Sequence, residues 1–342
     1  MRGVLVKQWT EFDKLALEEC PPPALGPGQV RIKTQAAGVS FATSLMVQGR
    51  YQRRPPLPFV PGTEVAGIVT ETAADVERIK VGDRVAAIVD WGGLAEEATA
   101  GAISTFPLPD DLEFHRAICF TNSYSTSYAA LIWPHLLALA AGQTLLVHAG
   151  ASGVGIAAIE IAKILGARVL ATAGSPEKLA VARAQGADHV IDYRDGFREP
   201  VLDLTDGRGT DVIYDPVGGA VFDESLRCIA PEGRIMPVGF AGGTIQQIPA
   251  NILLVKNITV CGLNMSYYFG WSPDDVRHEY AARIEQALRQ LFAWFEEGRL
   301  NPRVSHIFRL DDFQQAMATV LGRRALGRVA IVMDDEARRL GK

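Results

Sequence analysis

The run Gly150-Ala-Ser152-Gly153-Val154-Gly155 separates a short apolar segment, Thr144–Ala149, from an apolar-periodic stretch, Val154–Leu165. That pattern predicts a strand, a tight turn and a helix. Small residues let the backbone approach a ligand, and a helix start offers unpaired N–H groups and a positive dipole. The ligand that suits both is a pyrophosphate. Ser152 stands where a full glycine fingerprint has glycine, so the match is partial and its context carries it. A glycine-rich turn with no ligand is the plain alternative. The next expected strand, Ala167–Ala173, runs on into Gly174-Ser175-Pro176-Glu177-Lys178. No acid stands at Ala173 or Gly174 to accept from a ribose hydroxyl. Ser175 can cap a helix opened by Pro176, with Lys178 one turn in. The group that fits is the 2′-phosphate of NADP, so NADPH is the expected cofactor, with Tyr193 and Arg194 flanking the phosphate. An ordinary cap with a solvated lysine uses the same residues, and Glu177 lies inside the helix rather than at the strand tip.

Metal chemistry finds no support in the spacing. The histidines at 115, 135, 148, 189, 278 and 306 and the cysteines at 20, 119, 228 and 261 form no ligand cluster and no CxxC pair. No metal is expected. His148 reads as a packing or cofactor-loop residue.

Positioning these residues requires an α/β framework. To about Thr121 the chain reads as strands and turns, with runs such as Glu64–Thr70 and Arg84–Val89 punctuated by glycine and proline. Beyond that, strands alternate with helices. Strands are expected at His189–Tyr193, Asp211–Pro216, Arg234–Val238 and Ile258–Leu263, and helices after Ser175–Pro176, near Phe197–Thr205 and at Ala220–Cys228. Such alternation predicts a doubly wound parallel sheet of Rossmann type, covered on both faces. A long helical pattern over about Asp274–Glu297 and a segment Gly327–Met333 close the chain.

With 342 residues, 48% apolar and 21% charged, the chain has material for about two domains. The balance of 34 basic and 39 acidic residues gives net −5, against general attraction to nucleic acid or anionic membrane. The first residues are charged where a secretory signal needs an apolar run, and the longest apolar stretch, Leu136–Leu146, is short and interrupted. With scattered cysteines, a reduced cytoplasmic enzyme is the expectation.

Several segments together resemble the medium-chain dehydrogenase/reductase superfamily, in its zinc-free, zeta-crystallin-like quinone oxidoreductase branch. They are Ala36–Val39, Pro61–Gly67, Gly82–Val85, Leu146–Ala149 with Gly153–Gly155, Gly186–Tyr193, Asp215–Gly219 and Gly327–Val332, in order and over nearly the whole length. The resemblance implies a GroES-like β-barrel-type domain over residues 1–123, completed by 265–342, and a Rossmann NADP-binding domain over 124–264. It places the active site in the cleft between them and implies a homodimer joined through Ile258–Leu263. Zinc-dependent relatives carry Cys and His after Gly-Val and His within Gly-His-Glu; here Ser40, Phe41 and Thr63 stand in those places. Quinone reductases of the branch show Gly-Val-Asn with a later Asp, where this chain has Ser40 and Thr43, so its substrate geometry is expected to differ.

By the same resemblance Tyr51 faces the nicotinamide, as a donor to a carbonyl or as a stacking surface, with Ser40 and Thr63 lining the cleft. Thr126, with Tyr128, and Asn264 touch the cofactor, and Arg323 or Arg324 lies near its 2′-phosphate. Phe41, Trp91 and Tyr267 are candidates for an aromatic wall. Hydride transfer without metal favours acceptors that need no strong Lewis acid. The expected function is NADPH-dependent quinone reduction. Enal or enone reduction is the alternative, and a crystallin-like or RNA-binding role with little catalysis is the non-enzyme reading. The acidic balance speaks against RNA, which wants a basic groove with stacking aromatics.

Overall fold

A computed structural model describes residues 1–341. The described chain forms two compact units, one of residues 1–122, 266–296 and those from Arg303 on, the other of residues 123–265 and 297–302.

The first unit is built on the eleven-residue strand Gln29–Val39. Val30, Ile32 and Thr34 alternate inward, and from Thr34 to Val39 every residue is buried, so this strand is covered on both faces. It pairs antiparallel with Glu64–Thr72, Glu97–Gly101 and Arg328–Val332. Outward from these, Arg84–Ile88 and Thr105–Pro107 extend one edge, and Val304–Arg309 joins the other in parallel. Gly67 faces Thr34 where the register shifts; a Cβ there would fall 2.1 Å from the Lys33 carbonyl oxygen, so only glycine allows this approach. Val30, Ile32, Val65, Val69, Val85 and Ala98 close the sheet over one apolar core. A second core gathers Val4, Phe12, Met46, Phe59, Phe313 and Ile331.

The second unit holds six parallel strands. In spatial order they are His189–Asp192, Arg168–Ala173, Thr144–Val147, Thr210–Asp215, Ile229–Pro237 and Thr259–Val260. This 3-2-1-4-5-6 order is that of a doubly wound dinucleotide fold, whose switch point lies between Thr144–Val147 and Thr210–Asp215. Leu145, Leu146, Val147, Val169, Leu170, Val212 and Ile213 are fully or almost fully buried, as strands covered on both faces must be. The last strand is shorter than expected. Only Thr259–Val260 pairs, against Arg234 and Ile235, because the chain turns away after Cys261 through exposed Gly262. The helix Ala250–Lys256 precedes it and was not foreseen.

Candidate functional site

The glycine-rich turn is a constrained loop at the switch point. After Thr144–Val147 the backbone passes His148, takes a left-handed step at Ala149 (φ 49°) and enters the helix Gly153–Ile164 through Ser152. Ser152 Oγ accepts from the Gly155 N–H at 3.1 Å and caps that helix. A Cβ on Gly155 would sit 2.3 Å from the Ala149 carbonyl oxygen, and one on Gly150 would touch Ala171 Cβ at 3.0 Å. The loop packs this closely only because both residues lack side chains. Ser152, Gly153 and Val154 keep part of their surface open, at the end where the helix presents free N–H groups. The open helix start beyond this tight loop fits a pyrophosphate.

The neighbouring strand Arg168–Ala173 brings the second group of residues to the same sheet edge, since the Gly150 N–H donates to the Thr172 carbonyl at 2.9 Å. Ser175 caps the helix Pro176–Ala184, its Oγ accepting from the Lys178 N–H at 3.4 Å. Tyr193 closes over Gly174, where an added Cβ would meet the phenol oxygen at 2.6 Å. Ser175 and Lys178 are half-buried and Tyr193 is exposed. Arg194, expected beside them, turns instead onto Asp192 through its Nε and Nη2 and holds that carboxylate below its usual range. Its charge is committed locally.

Two buried groups stand at the carboxyl ends of this unit's strands. His148 bonds Thr172 Oγ1 at 2.9 Å and Ser225 Oγ at 2.8 Å, edge-on to Phe197, and burial pushes its pKa down to about 3. It is a neutral structural tie across the strand ends. Asp215 ends its strand at the switch point. Its Oδ1 accepts from the Val217 and Gly218 N–H groups at 2.7 and 3.0 Å, and burial raises its pKa. Its buried Oδ2 has no hydrogen-bond partner among the described residues. Asp215 falls in the expected strand Asp211–Pro216, and the run Asp215–Gly219 is one of the matching segments. Thr126 is half-buried on the helix Ser125–Ile132, beside Ser127, whose Oγ donates to the Val154 carbonyl at 3.0 Å and bonds the Tyr214 hydroxyl at 2.9 Å. Asn264 is exposed beyond the last strand.

In the first unit, Ala37 pairs with Val65, so Ser40 and Thr63 stand at the same end of paired strands. Both are half-buried, and Ser40 Oγ lies 3.2 Å from Thr43 Oγ1. Glu64 next to Thr63 is buried, accepting from Asn122 Nδ2 at 2.6 Å and from Arg328. Gly38 makes room for that pair, since a Cβ there would fall 2.6 Å from both Arg328 and Glu64. Tyr51 is half-buried against Trp271, edge to face at 5.5 Å. Burial raises its phenol pKa, offset in part by a hydrogen bond with Ser266. Trp91 and Arg53 join this cluster, the Arg53 guanidinium lying 5.4 Å from the Trp91 ring centre and 5.6 Å from that of Trp271. Phe41 is exposed, and Tyr267 packs on Tyr268 and Tyr280 instead. Arg323, in a left-handed conformation (φ 55°), and Arg324 are exposed after the helix Phe313–Leu321. Among the described residues no group of three or more His, Cys, Asp or Glu is placed to hold a metal ion.

Family models described as alcohol dehydrogenase GroES-like domain and as zinc-binding dehydrogenase match residues 26–110 and 153–286. The chain is 40% identical to a quinone oxidoreductase-like protein 2 homolog of Nematostella vectensis, over 90% of this chain and 82% of that protein. It is 37% identical to quinone oxidoreductase-like protein 2 of Bos taurus, over 93% of this chain and 88% of the relative. The solved Escherichia coli quinone oxidoreductase complexed with NADPH superposes with a TM-score of 0.87 at 25% identity, covering 97% of this chain and 100% of the other. A parallel sheet in dinucleotide-binding order, a GroES-like unit and relatives of this identity over most of the length have one reading: the chain belongs to the medium-chain dehydrogenase/reductase superfamily, in its quinone oxidoreductase branch.

Proposed function

We propose that this oxidoreductase uses NADPH to reduce a quinone by direct hydride transfer, without metal. The observation that carries the reading is the pair of capped helix starts on one sheet edge, with Lys178 in the second and no acid at Ala173 or Gly174. NADPH, when bound, supplies a hydride. The turn Gly150–Gly155 and its helix N–H groups hold the pyrophosphate, with Thr126 and Asn264 as further contacts. Ser175, Lys178 and Tyr193 hold the 2′-phosphate, to which Arg323 or Arg324 adds charge.

On the acceptor side, Tyr51 is the donor. Its raised pKa keeps the phenol protonated through neutral pH, so it can give a proton to a carbonyl oxygen as the hydride arrives, and recover it from water. The hydride alone converts a quinone to the hydroquinone monoanion, and the single proton from the phenol completes the neutral hydroquinone. Ser40 and Thr63 offer hydroxyls to the same acceptor. Hydroxyl oxygens in place of Cys and His make a poor zinc set, which supports metal-free chemistry. Enal or enone reduction is the second reading, since Ser40 and Thr43 stand where quinone reductases of the branch carry Asn and Asp.

We also propose a homodimer formed through the sheet edge at Thr259–Val260. Thr259–Val260 is the outermost strand of its sheet, and Ile245, Leu254 and Val255, which precede it in the chain, expose apolar side chains. A cytoplasmic location fits four free cysteines, of which burial pushes Cys228 up to about 12. NADPH oxidation with 1,4-naphthoquinone in EDTA, with NADH in parallel, tests the function. Turnover favouring NADPH is expected. Equal use of NADH would remove the phosphate site, and EDTA-sensitive turnover the metal-free mechanism.

A further inference from the structure

We infer that Arg53 is the positioning residue of the acceptor wall: it locks Trp271 against Tyr51 and so fixes the phenol for proton delivery. The inference rests on the reading of Tyr51 as the acceptor-side donor. Tyr51 and Arg53 lie in a segment with no regular structure, followed by Pro55, Pro56 and Pro58, so no strand ladder holds the phenol in place. Beside the phenol's own hydrogen bond with Ser266, one guanidinium ties this loop to its neighbours. Its Nη1 donates to the Gly270 carbonyl at 3.0 Å, and it meets both Asp90 oxygens, at 3.2 and 3.3 Å. Its guanidinium carbon also lies 5.4 Å from the Trp91 ring centre and 5.6 Å from that of Trp271. Three stretches far apart in sequence, the Tyr51 loop, the Asp90-Trp91 turn and the Gly270-Trp271 turn, therefore converge on a single side chain.

The surroundings are built for it. Arg277 forks onto Asp275 at 2.9 and 2.6 Å and shares Asp90 at 3.6 Å, so the cluster's two cations are matched by two carboxylates. Gly270 has φ 87°, and a Cβ there would fall 2.6 Å from Arg277 Nε. A glycine is what lets the turn present its carbonyl to Arg53 while Arg277 passes behind. A guanidinium can fork, donate and stack at once; an ammonium cannot. Arg53 thus acts through Tyr51 rather than on the acceptor.

The test is a double-mutant cycle, Arg53→Gln and Tyr51→Phe, with Arg53→Lys as the conservative variant, using saturating NADPH and 1,4-naphthoquinone. Arg53→Gln is expected to lower kcat/KM about tenfold when Tyr51 is present and to have little further effect in the Tyr51→Phe background. Arg53→Lys should not rescue, NADPH affinity should stay within about twofold, and acrylamide should quench tryptophan emission more strongly in both Arg53 variants. Additive losses, full rescue by lysine, or a loss of NADPH affinity in step with Tm would overturn the inference. Failure of the proposed function shows separately, as a wild-type protein without quinone turnover. The quenching series then decides alone, and unchanged quenching in Arg53→Gln would refute the positioning role.

Discussion

Under the proposed function, Lys178 belongs to the cofactor half of the chemistry and Tyr51 to the acceptor half. Lys178→Ala is expected to raise the NADPH dissociation constant by about tenfold or more while leaving NADH nearly unchanged, because a charge-assisted phosphate contact contributes roughly 1.5–3 kcal/mol. Cofactor fluorescence titration checks this, and equal losses for both nucleotides would show that the lysine only supports the helix. Tyr51→Phe should lower kcat with NADPH affinity unchanged; unaltered turnover would reduce the phenol to packing. These residues differed in legibility. The turn at Gly150–Gly155 and the Ser175 cap were readable because a cap and a helix start are local, encoded within a few positions. Tyr51 was visible only through the family resemblance. Its partners Ser266 and Trp271 were not visible at all, since nothing in a sequence joins a proline-flanked loop to a turn so far downstream. Arg194, expected beside the same phosphate, lies on the carboxylate of Asp192, a contact that sequence spacing alone did not suggest.

At the level of elements, the turn and its helix caps carry measurable stability. Gly155→Ala forces a methyl to within 2.3 Å of the Ala149 carbonyl oxygen, and a destabilisation of about 1–3 kcal/mol with loss of NADPH binding is expected from urea unfolding and titration. His148 gives the second unit a pH dependence with a definite sign. Its folded pKa of about 3 lies below the model-peptide value of 6.5, so the unfolded chain binds the proton more readily. Its contribution is complete above pH 6.5 and is lost as pH falls from there toward 3. The urea midpoint should drop over that window in the wild type and drop less in His148→Gln. Buried periodic elements were read well: the helix Ala220–Cys228 has the expected bounds, and Gly153–Ile164 differs by one residue at each end. The helix Ala250–Lys256 was missed for a physical reason. Leu254 and Val255 point their apolar side chains to solvent, so no polar-apolar alternation marks it. The strand expected over Ile258–Leu263 is apolar enough to read long, but only Thr259–Val260 has a partner.

For the molecule as a whole, the exposed apolar residues preceding Thr259–Val260 make assembly testable. Leu254→Glu with Val255→Glu should convert a sedimenting dimer to monomer without affecting NADPH binding to the remaining folded chain, and a wild-type monomer at micromolar concentration would refute edge pairing. Fold class was legible because alternation of strand and helix leaves few solutions. The layout of the first sheet was less so, because its pairings span almost the full length: Val39 lies opposite Val329 and Ala36 opposite Val332. That pairing has a consequence for synthesis. At about 5–20 residues per second, the strand Gln29–Val39 leaves the ribosome roughly 15–60 s before Arg328–Val332 exists to cover its edge. All six strands of the parallel sheet lie within residues 144–260 and emerge in the meantime. The nucleotide-holding unit can therefore mature first, while the older segment waits with an open edge that invites wrong partners. A chain stopped before Arg328 should show protected amides across the parallel sheet in hydrogen exchange, together with aggregation seeded from its N-terminal third.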